Sequence, residues 1–170
     1  IAELLFNGKI IGVVYGDSEV GPRALGNRSI ICNPNIKSMK EILNSKIKFR
    51  EWFRPFAPFC KLEDAHKFFE SPSFENLEYM SYAPKVKEEF TGQLPSITHI
   101  DNTARLQTVT KESHSHFYNI LEEFGKLCEV NVLLNTSFNI RGKPILSTIE
   151  DALYILRNTQ IDYVVVEDYL

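Results

Sequence analysis

The chain has 170 residues, a hydrophobic share of 44%, a charged share of 24% and a formal net charge of −3. That length fits one domain, which buries roughly 70% of the surface its unfolded chain would expose. No apolar run approaches the ~20 residues that cross a bilayer, and the acidic balance argues against a surface devoted to nucleic acid.

The opening "IAELLFNGK" carries no basic leader or cleavage site and no initiator Met, so the expectation is a fragment of a longer, cytoplasmic protein. "IAELLFN" reads as a short helix stopped at Gly8. "KIIGVVYG" reads as a buried strand closed by Gly16. "GPRALG" follows as a loop or a single helical turn, and "RSIIC" as a second strand. "NIKSMKEILNSK" is helical. "RPFAPFCKL" is extended, because Pro55 and Pro58 forbid a regular helix. "EDAHKFFE" is a short helix, and residues 71–101 are the least regular part. "ARLQTVT" alternates as a strand does, "SHFYNILEEFGKL" is an amphipathic helix, and "EVNVLLNT" is a strand leading into the loop "SFNIRGKP". "STIEDALYILRN" is a helix with Thr148 as N-cap and Asp151 at the capping-box position. "DYVVVE" closes the chain as a strand. Strands alternate with helices throughout, which predicts one α/β domain over 1–170 with a twisted, mixed, open sheet flanked by helices.

Charge is unevenly spread. Residues 21–54 hold eight Lys/Arg against Glu41 and Glu51, a local +6 in a chain whose remainder is −9. A cationic island in an acidic protein points to a focused anion site. Lys37, Lys40 and Lys46 fit a solvated helix face; the arginines fit it less well.

Four polar motifs fall at strand ends. In "GPRALG", Gly21 and Gly26 permit backbone angles closed to other residues. Pro22 suits the first position of a helical turn, which would leave the Ala24 and Leu25 N–H groups free for an anion. Arg23 adds a planar, permanently charged fork. A plain turn remains the competing reading. In "IKFREWFRPFAPF", an extended backbone would put Lys48, Arg50 and Arg54 on one face, with Phe49 and Phe53 packed beneath as an apolar floor. Aromatics in the core with cations reaching outward is the alternative. "HIDNTARLQTV" contributes Thr103 and Arg105, with His99 more simply structural. "LLNTSFNIRGKP" runs an apolar strand into Asn135, Thr136, Ser137 and Asn139, the position at which open sheets bind ligands.

The three cysteines, Cys32, Cys60 and Cys128, are far apart and outside any zinc spacing, so reduced structural thiols are expected. His114 and His116 form only an H-x-H pair. No metal site is expected in this chain, and no Ser/His/Asp or Cys/His nucleophile arrangement is apparent.

These blocks, in this order, resemble the C-terminal half of the NodU-type carbamoyltransferases over nearly the whole chain. The family commonly has Gly where this chain has Asn102, which also tolerates a left-handed backbone. The resemblance implies a YrdC-like α/β fold that takes carbamoyl phosphate and ATP, with Mg²⁺, and makes carbamoyl adenylate, releasing phosphate and pyrophosphate. It implies that an actin-like N-terminal domain of the parent chain, with its own metal, passes the carbamoyl group to an acceptor hydroxyl. By motif match, Arg23, Lys48 and Arg54 would act on the reacting phosphates. Arg28, Arg50, Thr103, Arg105, Asn135, Thr136, Ser137 and Asn139 would bind substrate, with Arg28 either a contact or a support. The competing reading is a YrdC-like RNA- or nucleotide-binding module without catalysis.

Overall fold

The strand at Ile11–Val14 (β1) is apolar without interruption because both its faces are covered, which is what a sheet with helices on each side requires. The computed structural model describes residues 1–170. Chain order begins with a helix at Ala2–Phe6 (α1), β1, and strand β2 at Arg28–Cys32. A helix at Met39–Ile42 (α2) then widens into a π-turn at Leu43–Ile47. Strand β3 (Ala57–Lys61) leads through a 3₁₀ turn into helix α3 (Ala65–Phe68). Two-residue strands β4 (Phe69–Glu70) and β5 (Lys85–Val86) and helix α4 (Glu88–Thr91) occupy the irregular region. Strand β6 (Gln107–Val109), helix α5 (Ser115–Gly125), strand β7 (Leu133–Ser137), helix α6 (Ile149–Asn158) and strand β8 (Tyr163–Val166) complete the chain.

Six strands form one mixed sheet in the order β6-β3-β7-β2-β1-β8. The outer pairs β3–β6 and β1–β8 are parallel and the three inner pairs antiparallel. Alternation along each strand feeds two cores. Ile30, Cys32, Leu134 and Val164 join Met39, Leu43, Ala152 and Ile155 on one face. Ile31, Leu133 and Val165 join Leu5, Phe117, Leu121 and Phe124 on the other. The expected capping box of α6 is formed, with Thr148 Oγ1 accepting from the Asp151 N–H at 3.2 Å.

Cys32 and Cys60 are fully buried and Cys128 half-buried, all as free thiols. Burial raises the thiol pKa of all three, the behaviour of packing residues. No helix is long and apolar enough to cross a membrane.

The topology brings the polar motifs to one end of the sheet. β2 begins beside the end of β7, with Ser29 opposite Ser137. β3 begins there too, with Ala57 opposite Asn135, and β6 runs parallel to it with Gln107 opposite Phe59. The loop before β2, the turn before β3, the approach to β6 and the loop after β7 therefore face a common space.

Candidate functional site

That space is a cavity of about 560 Å³. Its lining includes Arg23, Lys48, Arg50, Arg54, Arg105, Asn135, Thr136, Ser137 and Asn139, from all four motifs. It also includes Arg141 and Lys143, which the sequence reading passed over although they flank Gly142 in the same loop. The one carboxylate on the lining is Glu51.

The "GPRALG" loop has no helical turn, contrary to one expectation for it. Its Leu25 N–H is not free for an anion either. Glu19 Oε1 accepts from the N–H groups of Leu25 (2.7 Å), Asn27 (2.6 Å) and Arg28 (3.2 Å), so one carboxylate gathers the loop. Gly26 sits at φ +135° against His114, and an added Cβ would meet His114 Nε2 at 2.1 Å. His114 meanwhile caps α5, its Nδ1 accepting from the Phe117 N–H. Arg23 is left exposed at the cavity wall.

Of the two roles expected for Arg28, a contact or a support, its bonds fit the support. It is 7% exposed and does not line the cavity. Its guanidinium donates to the carbonyls of Tyr15, Gly16 and Asn27, so it buttresses the loop from behind. Thr103 is also outside the lining: its hydroxyl donates to Asp101 Oδ1 and lies 3.0 Å from His99 Nδ1. These bonds shape the turn that delivers Arg105, with Asn102 at φ +62°.

Residues 48–56 are a compact turn rather than an extended run. Phe49 has φ +49°, which breaks the parity on which a shared face would depend. Asn44, 1% exposed, staples the turn by donating to the carbonyls of Trp52 and Arg54 and accepting from Arg50 Nε. Phe49, Trp52 and Phe53 are exposed, so they form no floor. Phe56 is the one buried aromatic there, and the Arg50 guanidinium lies 4.7 Å from its ring centroid.

Lys48 is 3% exposed. The three N–H groups of its ammonium are shared among four neutral acceptors, the Ser137 carbonyl and hydroxyl and the Asn139 carbonyl and Oδ1. Burial, reinforced by Arg50, holds its pKa well below the usual lysine value. Arg50 is pushed down to about 10 by burial first and by Arg54 second, and burial and Arg23 depress Arg105. Arg54 makes one loose ion pair, 3.7 Å to Glu51; the other cations of the lining make none within 4.0 Å. The site is thus a set of mutually repelling charges, partly desolvated and short of countercharge.

No group of three or more His, Cys, Asp or Glu side chains is placed to hold a metal. His116 stacks on Tyr15 at 4.3 Å between ring centroids, outside the cavity lining.

A family model for the carbamoyltransferase C-terminus matches residues 2–170. The chain belongs to that family. It is 42% identical to the nodulation protein NolO of Bradyrhizobium diazoefficiens, over 99% of this chain and 31% of the relative. It is 35% identical to the 3'-hydroxymethylcephem-O-carbamoyltransferase of Streptomyces clavuligerus, again over 99% of this chain and 31% of the relative. The chain therefore spans about a third of the length of these carbamoyltransferase-family relatives. Its fold is similar to part of full-length HypF in a phosphate- and nucleotide-bound form, with a TM-score of 0.71 at 21% identity, covering 98% of this chain and 24% of that one. The fold is the mixed α/β sheet flanked by helices that was expected.

Proposed function

We propose that this chain forms the site at which carbamoyl phosphate and ATP are converted to carbamoyl adenylate, within a carbamoyltransferase whose acceptor site lies outside residues 1–170. The observation that carries the reading is Lys48, a buried ammonium with four neutral acceptors and no carboxylate, beside several unpaired arginines. A polyphosphate supplies the missing countercharge. The family membership and the name of the Streptomyces relative favour carbamoyl transfer as the reaction.

Both phosphate and pyrophosphate leave, so one water must be consumed. Water converts carbamoyl phosphate to carbamate and phosphate; a carbamate oxygen then attacks the α-phosphorus of ATP and pyrophosphate departs. Arg23, Lys48 and Arg54 neutralise the two polyanions and the charge developing between them. Arg50, Arg105, Thr136, Ser137 and Asn139 hold the substrates in place. Mg²⁺ would belong to the ATP substrate and would neutralise its phosphates, with Glu51 the one carboxylate of the lining near it.

Titration of carbamoyl phosphate and of Mg²⁺–ATP into the chain tests this. Saturable binding of both is expected. Arg54→Lys, which keeps the charge and loses the two-pronged fork, is expected to weaken carbamoyl phosphate binding by about 10-fold or more. No binding of either ligand to a folded sample overturns the reading. The exposed Trp52 and Phe53 beside Arg50 and Arg54 favour base stacking as a second reading, a nucleotide or RNA module without catalysis. Tight, steeply salt-dependent RNA binding would favour it.

A further inference from the structure

Two buried side-chain atoms on the cavity lining have no hydrogen-bond partner: Asn135 Oδ1, an acceptor, and Arg105 Nε, a donor. Asn135 is 1% exposed, so an unpaired oxygen there is costly and calls for a ligand. Its orientation is fixed by a chain of bonds that ends on backbone. Asn135 Nδ2 donates to the Ala24 carbonyl at 3.0 Å and to Gln107 Oε1 at 2.7 Å. Gln107 Nε2 in turn donates to the Leu25 carbonyl at 2.7 Å. Carbonyls only accept. Flipping Asn135 would set its oxygen against the Ala24 carbonyl, and flipping Gln107 would set another against the Leu25 carbonyl. Asn135 is therefore compelled to keep its oxygen as the unpaired acceptor, on the lining of a cavity whose charged groups are nearly all donors.

We propose that Gln107, from behind the cavity, locks Asn135 so that the site selects an acyl phosphate whose acyl group carries an N–H. Asn135 Oδ1 accepts from the amino group of the carbamoyl moiety and Arg105 Nε donates to its carbonyl oxygen. This rests on the function proposed above and adds a positioning residue, Gln107, and a basis for discrimination. Carbamoyl phosphate satisfies both unpaired atoms. Acetyl phosphate has nearly the same shape, but its methyl group leaves Asn135 Oδ1 buried and unpaired. A site built around a donor rejects the analogue lacking it more strongly than one that merely senses size.

The test is calorimetric titration of the chain with carbamoyl phosphate and with acetyl phosphate. Wild type is expected to bind carbamoyl phosphate about 10-fold or more tightly than acetyl phosphate. In Gln107→Met Asn135 Nδ2 keeps the Ala24 carbonyl and loses its second acceptor, so the amide is held less firmly, and the ratio is expected to fall to about threefold or less, with the loss on the carbamoyl side. Equal binding of the two acyl phosphates by wild type overturns this inference and leaves the proposed function standing; binding of neither overturns both. A preference that survives in Gln107→Met overturns the role of Gln107. Should that variant not fold, as judged by circular dichroism, the wild-type ratio decides.

Discussion

At Lys48 the depressed pKa and the absence of a carboxylate have one consequence that can be measured. A phosphate dianion at the ammonium stabilises its charged form and raises its pKa back toward 10.5. Between the free and bound values, binding takes up a proton, and affinity falls as pH rises through that window. Calorimetry in two buffers of different ionisation enthalpy is expected to detect proton uptake in wild type beyond that in Lys48→Met, the difference removing the ligand's own titration. Equal proton counts in the two proteins would contradict it. The same linkage has a sign for folding. From the depressed value up to 10.5 the unfolded chain binds more protons at this residue, so its contribution to stability rises with pH there.

At the scale of elements, the cavity depends on a loop that is not regular structure. Glu19 holds it by three N–H bonds and Arg28 by three carbonyls, with Gly26 flush against His114. Glu19→Ala is expected to cost about 2 kcal/mol of stability and to weaken phosphate binding through Arg23; a denaturation midpoint and a phosphate affinity both unchanged would contradict the clamp. These ties explain what could be read in advance. Apolar runs such as "GVV" and "RSIIC" report strands because burial on two faces leaves no room for polar residues. The capping box at Thr148 is local, and it formed as expected. The run at 48–56 turns instead of extending because Phe49 takes a left-handed angle that no residue type there announces. Arg28 and Arg23 look alike in sequence; only the carbonyls of Tyr15 and Gly16, folded back from β1, separate the buttress from the cavity wall. Gln107 escaped notice for the same reason, since its partners are 82 and 28 residues away.

At the scale of the whole molecule, the chain spans 31% of the NolO relative, and a net charge of −3 surrounds one concentrated cationic pocket. That distribution suits a small polyanion drawn into a defined site rather than a long one laid across a surface. On the proposed function the acceptor site lies outside residues 1–170, so this chain alone should activate the carbamoyl group and not transfer it. The most direct test is the exchange of labelled pyrophosphate into ATP by the isolated chain, with and without carbamoyl phosphate. Formation of carbamoyl adenylate is reversible in pyrophosphate, so exchange should require carbamoyl phosphate and should fail in Arg105→Ala. Exchange that ignores carbamoyl phosphate, or none at all in a folded chain that binds both substrates, would contradict the assignment.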